Sequence, residues 1–215
     1  MEKLKKIIEE TDRNFSAYYD DLGKIVRDND YKHGIEVGVF CGGQSLHLFK
    51  NTGVKSMILI DPYKMYDQAH YLNIDSQEEF DELYEMVKDR FYEYCNVVQY
   101  VEDKTGIMIF SPHKPLKDVD KSDAFFIRKE SDKIDIILEN DFDFCFLDGN
   151  HTYDALKKDL EKYGSLIRTG GTIACHDYNH CAFPELTTCI DEYVAAHGAK
   201  LEIGNLHFVS FRKTW

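Results

Sequence analysis

The sequence predicts an α/β fold: a Rossmann-like, doubly wound and mostly parallel sheet of seven strands with an antiparallel C-terminal edge. Two observations lead to this prediction. Short apolar strands alternate with amphipathic helical segments, and small or acidic residues follow the strands. The last two strands lie close together in sequence, which favours an antiparallel pair. The predicted strands are Gly34 to Gly38, Lys55 to Ile60, Val97 to Val101, Phe142 to Leu147, Thr172 to Cys175, Leu201 to Ile203 and His207 to Phe211.

The chain divides into an N-terminal helical extension, residues 1–30, and a Rossmann-like domain, residues 31–215. In the extension, apolar residues recur at helical spacing from Leu4 onwards. Residues 106–140 do not fit the alternation of strands and helices. A connection of this length predicts an insertion or a lid.

Composition and charge favour a protein that acts on small molecules. The 215 residues carry a formal net charge of −13, and nucleic-acid affinity depends on Lys and Arg that displace counterions. We therefore expect no nucleic-acid partner. No apolar run is long enough to span a bilayer, so we expect no membrane partner. The first residues lack the apolar stretch of a secretory signal, so we expect a cytoplasmic location. The six cysteines form no C-x-x-C pair, which favours buried free thiols over a zinc site.

The turn from Ile35 to Ser45 predicts a site for an adenosine-containing cofactor. Glycines allow the backbone to turn with positive φ or to approach a ligand closely. Their spacing is not the G-x-G-x-x-G of dinucleotide sites. Glu36 lies within an apolar strand, where an unpaired carboxylate is costly. A role at the cofactor is the prediction, and a structural pairing is the alternative.

Acidic or small residues follow each of the predicted parallel strands. In open α/β sheets, ligands bind at the carboxyl ends of the strands, so these residues should gather at one edge. Asp61 ends the second strand about 20 residues after the glycines, which is where an acidic residue binds ribose hydroxyls. The residues at the strand ends are Gly38, Asp61, Glu102, Asp103, Asp148 and Asp177.

Several blocks resemble the class I S-adenosylmethionine (SAM)-dependent methyltransferases. More narrowly, they resemble the small-molecule and sugar O-methyltransferase group, which carries D-G-x-H-x-Y followed by G-G-x-I-x-x-H-D-Y. The resemblance covers about Ile35 to Tyr178. The blocks are Ile35 to Ser45, Ile58 to Tyr63, Phe146 to Asp154, Asp159-Leu160 and Gly170 to Tyr178.

The resemblance implies a role for each matching residue at the cofactor. Residues of the glycine turn would line the methionine end, and Asp61 would bind the ribose. The loop after the third strand would flank the adenine, and Asp148 would lie beside the transferable methyl group. The implied cofactor-binding residues are Glu36, Gly38, Gly42, Ser45, Asp61, Glu102, Asp103 and Asp148.

The resemblance also implies catalytic and metal-binding residues. Methyl transfer to oxygen often requires removal of a proton from the acceptor, and His151 is the first candidate base because its ordinary pKa is near neutrality. His176 is the second candidate, and Asp148 completes the catalytic set. Some relatives bind Mg²⁺, for which Asp148 and Asp177 are the candidate ligands, although His176 stands where those relatives carry a carboxylate.

The predicted function is SAM-dependent methyl transfer to an oxygen of a small molecule or sugar. One alternative is a SAM-binding protein of the same fold without methyl transfer, because Asn150 and His176 depart from the family pattern. A second is a nicotinamide-dependent oxidoreductase, which the glycine spacing disfavours. The N-terminal helix favours a homodimer.

Overall fold

The computed structural model describes residues 1–66, 69–102, 108–114, 121–134 and 141–215. These residues form a nine-stranded sheet with helices on both faces. The helices are α1 (Glu2–Asp28), α2 (Gly43–Asn51), α3 (Gln77–Tyr92), α4 (Tyr153–Ser165) and α5 (Pro184–His197). The strands are β1 (His33–Val37), β2 (Ser56–Ile60), β3 (Asn96–Glu102), β4 (Met108–Pro112), β5 (Asp123–Ile127), β6 (Phe142–Leu147), β7 (Ile167–Cys175), β8 (Leu201–Ile203) and β9 (Val209–Arg212).

The sheet has the order β4-β3-β5-β2-β1-β6-β7-β9-β8. Strands β3, β5, β2, β1, β6 and β7 are parallel, whereas β4 at one edge and β9 next to β7 are antiparallel to their neighbours. The Rossmann-like class, the mostly parallel sheet and the antiparallel C-terminal edge are therefore confirmed. The predicted count of seven strands was too low, because β4 and β5 were not recognised in the sequence.

Both of the unrecognised strands lie in the stretch 106–140 that was predicted to be an insertion or a lid. For β5 the prediction was wrong: it pairs in parallel with β2 on one side and with β3 on the other. Ala124 and Phe126 are almost fully buried. This part of the stretch is therefore interior sheet, and β5 separates β3 from β2.

The side chains of the strands alternate between two apolar cores. Along β6, Phe144 and Phe146 belong to the core under α1, α2 and α3. Cys145 and Leu147 belong to the core under α4 and α5. This period of two is what a strand covered on both faces requires. Of the six cysteines, all of which are free, only Cys181 is exposed.

Helix α1 is an integral part of the helical layer. Leu4, Leu22 and Val26 are at most 1% exposed, and Gly23 packs against the His47 ring. At the C-terminal end of the chain, Asn205 donates a hydrogen bond to Asp21 over 3.0 Å. None of the described helices is long and apolar enough to cross a membrane.

Candidate active site

The turn after β1 holds the ends of two neighbouring strands together. Gly38 has a φ of +89°, and its N–H donates to the Ile60 carbonyl over 2.9 Å. A Cβ at this position would lie 1.8 Å from the backbone oxygen of Asp148. Gly38 is thus required because β6 ends directly against the turn. Gly42 also has positive φ and precedes α2, where a Cβ would meet the Phe91 ring at 2.7 Å.

Glu36 is buried beneath this turn. Its side chain is 2% exposed, and its carboxylate accepts a short hydrogen bond from the Ser45 hydroxyl. Burial raises the pKa of Glu36 to about 8, and the hydrogen bond from Ser45 opposes the rise. The structural pairing that the sequence left open is therefore present. The predicted role of Glu36 and Ser45 at the cofactor stays a prediction.

The buried Glu36 makes the stability of the ligand-free protein depend on pH. The unfolded chain loses this proton near pH 4.5 and the folded protein near pH 8, so the folded state binds more protons between these values. The free energy of unfolding should therefore fall as the pH rises through this window, by on the order of 2–4 kcal/mol. Urea unfolding at pH 5 and pH 9 measures this change.

In Glu36→Gln the part of the pH dependence due to this carboxyl group should disappear. The matched control is Glu202→Gln, which changes an exposed carboxylate on β8 and should keep the wild-type pH dependence. An unchanged pH dependence in Glu36→Gln would show that Glu36 is ionised in the folded protein.

Asp61 ties the end of β2 to the turn after β1. One carboxylate oxygen accepts N–H hydrogen bonds from Val39 and Phe40, both over 2.9 Å. The other oxygen accepts from Tyr63 over 2.7 Å. Burial raises the pKa of Asp61, and these backbone hydrogen bonds oppose the rise. Because a carboxylate offers about four lone-pair sites, one remains for a ribose hydroxyl. The ribose role stays a prediction.

The strand next to Asp61 is β5, whereas the predicted adenine loop follows β3. The Asp61 N–H donates to the Ile127 carbonyl over 3.2 Å, and Lys64 pairs with Glu130 over 3.0 Å. Glu102 ends β3 beyond this strand, and Asp103 lies outside the described residues. The segment that borders Asp61 is thus residues 128–131, which the sequence analysis missed because it did not recognise β5.

Helix α4 holds this segment in place. Lys162 donates to the backbone carbonyls of Ser131 and Ile134 over 2.8 and 2.6 Å. The Tyr163 hydroxyl also donates to the Ser131 carbonyl, over 2.7 Å. These hydrogen bonds attach the end of the segment after β5 to α4.

Two carboxylates and two imidazoles meet where β6 and β7 end. Leu147 lies opposite Cys175 in the parallel pair, so Asp148 comes next to His176 and Asp177. His151 Nε2 lies 3.5 Å from Asp148 Oδ1 and 3.2 Å from Asp177 Oδ2. His176 Nδ1 lies 3.5 Å from Asp148 Oδ1 and 3.4 Å from Asp177 Oδ1. The structure thus brings together the predicted catalytic residues and the predicted metal ligands, here called the His–Asp cluster (Asp148, His151, His176 and Asp177).

The surroundings of the cluster shift the pKa values of its two carboxyl groups in opposite directions. Burial alone would raise the pKa of Asp148, but the charge of His176 and a hydrogen bond from His151 hold it below its usual range. Burial and the charge of Asp148 raise the pKa of Asp177. Burial lowers the pKa of His176, but Asp148 raises it to about 9. For His151, burial again opposes the effect of Asp148, and the pKa is raised. Both imidazoles are therefore more basic than free histidine.

The donor atoms of the cluster are a mixed set of carboxylate oxygens and imidazole nitrogens, whereas the sequence predicts Mg²⁺. One donor atom each from Asp148, His151 and Asp177 lies within 4.8 Å of the others. Magnesium prefers an octahedral shell of oxygen atoms, whereas imidazole nitrogen beside carboxylate suits transition metals. The residues present do not fit Mg²⁺ well, and we assign no step to it.

Aromatic side chains from outside residues 35–178 pack against both histidines. The His176 ring lies 4.4 Å from the Tyr18 ring and 6.0 Å from the Phe15 ring, which it meets edge-on. His176 Nε2 is 2.8 Å from the Leu206 carbonyl, which fixes Nε2 as the donor in the neutral ring. The His151 ring lies 4.5 Å from the Phe183 ring. The sequence analysis missed these neighbours because they come from distant segments.

Comparisons with known proteins give the family and the fold. A family model described as a methyltransferase domain matches residues 35–178. This match does not favour the alternative of a nicotinamide-dependent oxidoreductase. No curated protein matches the sequence.

Solved structures of O-methyltransferases share the fold at low sequence identity. NovP superposes with a TM-score of 0.58 and 16% identity, covering 99% of this chain and 80% of NovP. TomG from Streptomyces achromogenes is involved in tomaymycin synthesis and was solved in complex with SAM. It superposes with a TM-score of 0.55 and 14% identity, covering 100% of this chain and 91% of TomG. CalS11, a TDP-rhamnose 3'-O-methyltransferase, superposes with a TM-score of 0.51 and 12% identity, covering 91% of this chain and 76% of CalS11.

Proposed function

The chain belongs to the methyltransferase domain family, and on this basis we propose that it transfers a methyl group from SAM to a hydroxyl oxygen of a small molecule or sugar. The observation that carries the proposal is the His–Asp cluster, which lies directly against the turn after β1. Gly38 and the Asp148 backbone are in contact, so a cofactor in the turn has its reactive end beside the cluster. Titratable groups with perturbed pKa values in such a place are typical of catalytic sites.

The cofactor is proposed to lie along the carboxyl ends of β1, β2 and β5. Glu36, Gly38, Gly42 and Ser45 surround its methionine end, and Asp61 accepts a hydrogen bond from the ribose. The adenine side is assigned to residues 128–131 in place of Glu102 and Asp103, because β5 is the strand next to Asp61. The negative charge of Asp148 favours the cationic sulfonium.

Methyl transfer is proposed as an in-line displacement next to the cluster. The acceptor oxygen forms a bond to the methyl carbon while the carbon–sulfur bond breaks and its electron pair stays on sulfur. The acceptor proton passes to His151, whose position between Asp148 and Asp177 stabilises the imidazolium that forms. His176 and Asp148 complete the catalytic set. Alignment of oxygen, methyl and sulfur supplies a large part of the rate acceleration.

Calorimetry with SAM and its demethylated product tests the cofactor assignment. The wild-type protein should bind both ligands, and an absence of binding would refute the proposed function. A methyl-transfer assay with labelled SAM then separates an enzyme from a protein of this fold that binds the cofactor without turnover.

The Asp61→Ala variant should bind SAM about 10- to 100-fold more weakly, because a hydrogen bond to a charged group contributes roughly 1.5–3 kcal/mol. The same variant should lose about 1–3 kcal/mol of stability, because three backbone N–H groups lose their acceptor. Thermal unfolding without ligand measures this loss separately. Asp28→Ala, at the exposed end of α1, is the control. Wild-type SAM affinity in Asp61→Ala would contradict the ribose assignment.

A further inference from the structure

Asp159 is a buried acidic residue that has no part in the proposed reaction. It lies on α4, in one of the sequence blocks that resemble the methyltransferases, and its side chain is 3% exposed. Within the part of the chain that the structure describes, no Lys, Arg or His forms an ion pair with it. A buried carboxyl group without such a partner is costly, so its presence points to a role.

The carboxyl group of Asp159 lies between two flanks of the proposed cofactor site. On one flank, its Oδ2 atom is 3.5 Å from the position that a Cβ would take at Gly149, in the turn after β6. On the other flank, the Ser131 side chain donates a hydrogen bond to it. Gly149 follows Asp148 of the His–Asp cluster, and Ser131 ends the segment 128–131. The two flanks therefore meet at Asp159.

The next side chains on the same face of α4 bind the Ser131 backbone. Lys162 and Tyr163 share this face with Asp159, because residues three and four positions apart are neighbours on a helix surface. Both donate to the Ser131 carbonyl, over 2.8 and 2.7 Å. Three side chains of one helix thus bind a single residue of the adenine flank.

Asp159 changes its charge between pH 5 and pH 8. Burial raises its pKa to about 6, and the hydrogen bond from Ser131 opposes the rise. The charges of Lys162 and Lys158 also oppose it, whereas the charge of Asp132 adds to it. The other titratable groups that face Asp159 stay uncharged in this range, because burial raises their pKa values. They are Cys145, Tyr163 and Cys175.

We propose that Asp159 is a positioning residue of the cofactor site, which holds the turn after β6 and the segment 128–131 at the separation that the cofactor requires. A charged carboxylate accepts the hydrogen bond from Ser131 more strongly than the protonated group does. The two flanks are therefore held most firmly when Asp159 is ionised. This inference rests on the proposed methyl transfer and on the adenine side assigned to residues 128–131.

Calorimetric titration with S-adenosylhomocysteine, the demethylated product, tests the inference at two pH values. At pH 8 the Asp159→Asn variant should bind it about tenfold more weakly than the wild type, because the charged acceptor is lost. At pH 5 the wild-type carboxyl group is itself mostly protonated, so both proteins should bind within about twofold of each other. A general structural defect would weaken binding equally at both pH values. The control is Asp154→Asn, at the exposed start of the same helix, which should match the wild type throughout.

Variants at Ser131 test the same contact from the other side. Ser131→Ala removes the donor and should weaken binding at pH 8 by a similar factor, whereas Ser131→Thr keeps a hydroxyl group and should restore it. The double variant with Asp159→Asn and Ser131→Ala should bind no more weakly than either single variant, because both changes remove the same hydrogen bond. The Ser131 variants carry the test alone if Asp159→Asn does not fold.

The outcomes separate this inference from the proposed function. Wild-type affinity at pH 8 in Asp159→Asn or Ser131→Ala would overturn the positioning role. An equal loss at both pH values in Asp159→Asn, or additive losses in the double variant, would also overturn it. An absence of binding by the wild-type protein would instead refute the proposed function.

Discussion

Replacement of His151 by alanine is expected to lower kcat for methyl transfer by about 10²- to 10⁴-fold, the usual contribution of a positioned base. His151 Nε2 faces both Asp148 and Asp177. These carboxylates orient the ring and stabilise its protonated form, and the variant loses this proton acceptor. SAM affinity should stay within about twofold, because the cofactor contacts are proposed to lie on the turn after β1 and not on His151.

Steady-state kinetics with labelled SAM, together with calorimetric titration of SAM, separates these two quantities. The matched control is His33→Ala, since His33 is an exposed histidine at the opposite, amino end of β1. It should leave kcat unchanged. A variant at His151 that keeps wild-type kcat would place proton removal elsewhere, and His176 would then be the next residue to replace.

The second large effect is expected at Gly38, where alanine should cost at least about 3 kcal/mol of stability. Two independent causes act together. The φ of +89° is unfavourable for any residue with a Cβ, and that Cβ would lie 1.8 Å from the Asp148 backbone oxygen. To relieve the contact, the end of β6 must move away from β1, which also displaces the Asp148 side chain.

Gly198→Ala is the control that separates the two causes. Gly198 has a φ of +62°, and a Cβ there would meet nothing within 4 Å. Its replacement should therefore cost only the conformational strain of about 1–2 kcal/mol. Urea unfolding of both variants gives the difference that is due to the close approach. Equal losses would show that Asp148 does not press against the turn.

The sequence was sufficient to predict the meeting of Asp148 with His176 and Asp177. Each group follows an apolar run, and the carboxyl ends of parallel strands share one edge of a sheet. The meeting of these three residues was therefore predictable once the two strands were taken to be neighbours. The parallel pairing of β6 with β7 satisfies this condition.

The order of the strands on the other side of β1 could not be predicted in the same way. Strand β5 is a short apolar run between charged residues, and nothing in its local pattern indicates that it pairs with β2 more than 60 positions earlier. Pairing of this kind is decided by packing in the whole sheet. Because β5 was not recognised, the sequence analysis considered Glu102 and Asp103 for the adenine side and did not consider residues 128–131, which border Asp61.

The contacts of Asp61 and His176 were also not predicted, because they too depend on packing between distant segments. Asp61 was predicted to bind ribose, whereas its hydrogen bonds to Val39 and Phe40 depend on the path of a turn. The packing of Tyr18 on His176 joins residues from opposite ends of the chain. Local periodicity contains no information about either contact.

The position of α1 has a consequence for the order in which the fold is completed. This helix packs on α2, which follows it closely in sequence, and it also contacts residues far along the chain. Asp21 and Asn205 are 184 positions apart, and Asn29 bonds to Arg212. Contacts of such long sequence separation require the closure of a long loop, which slows their formation. We therefore expect α1 to dock on α2 before it contacts β9 and the loop that precedes β9.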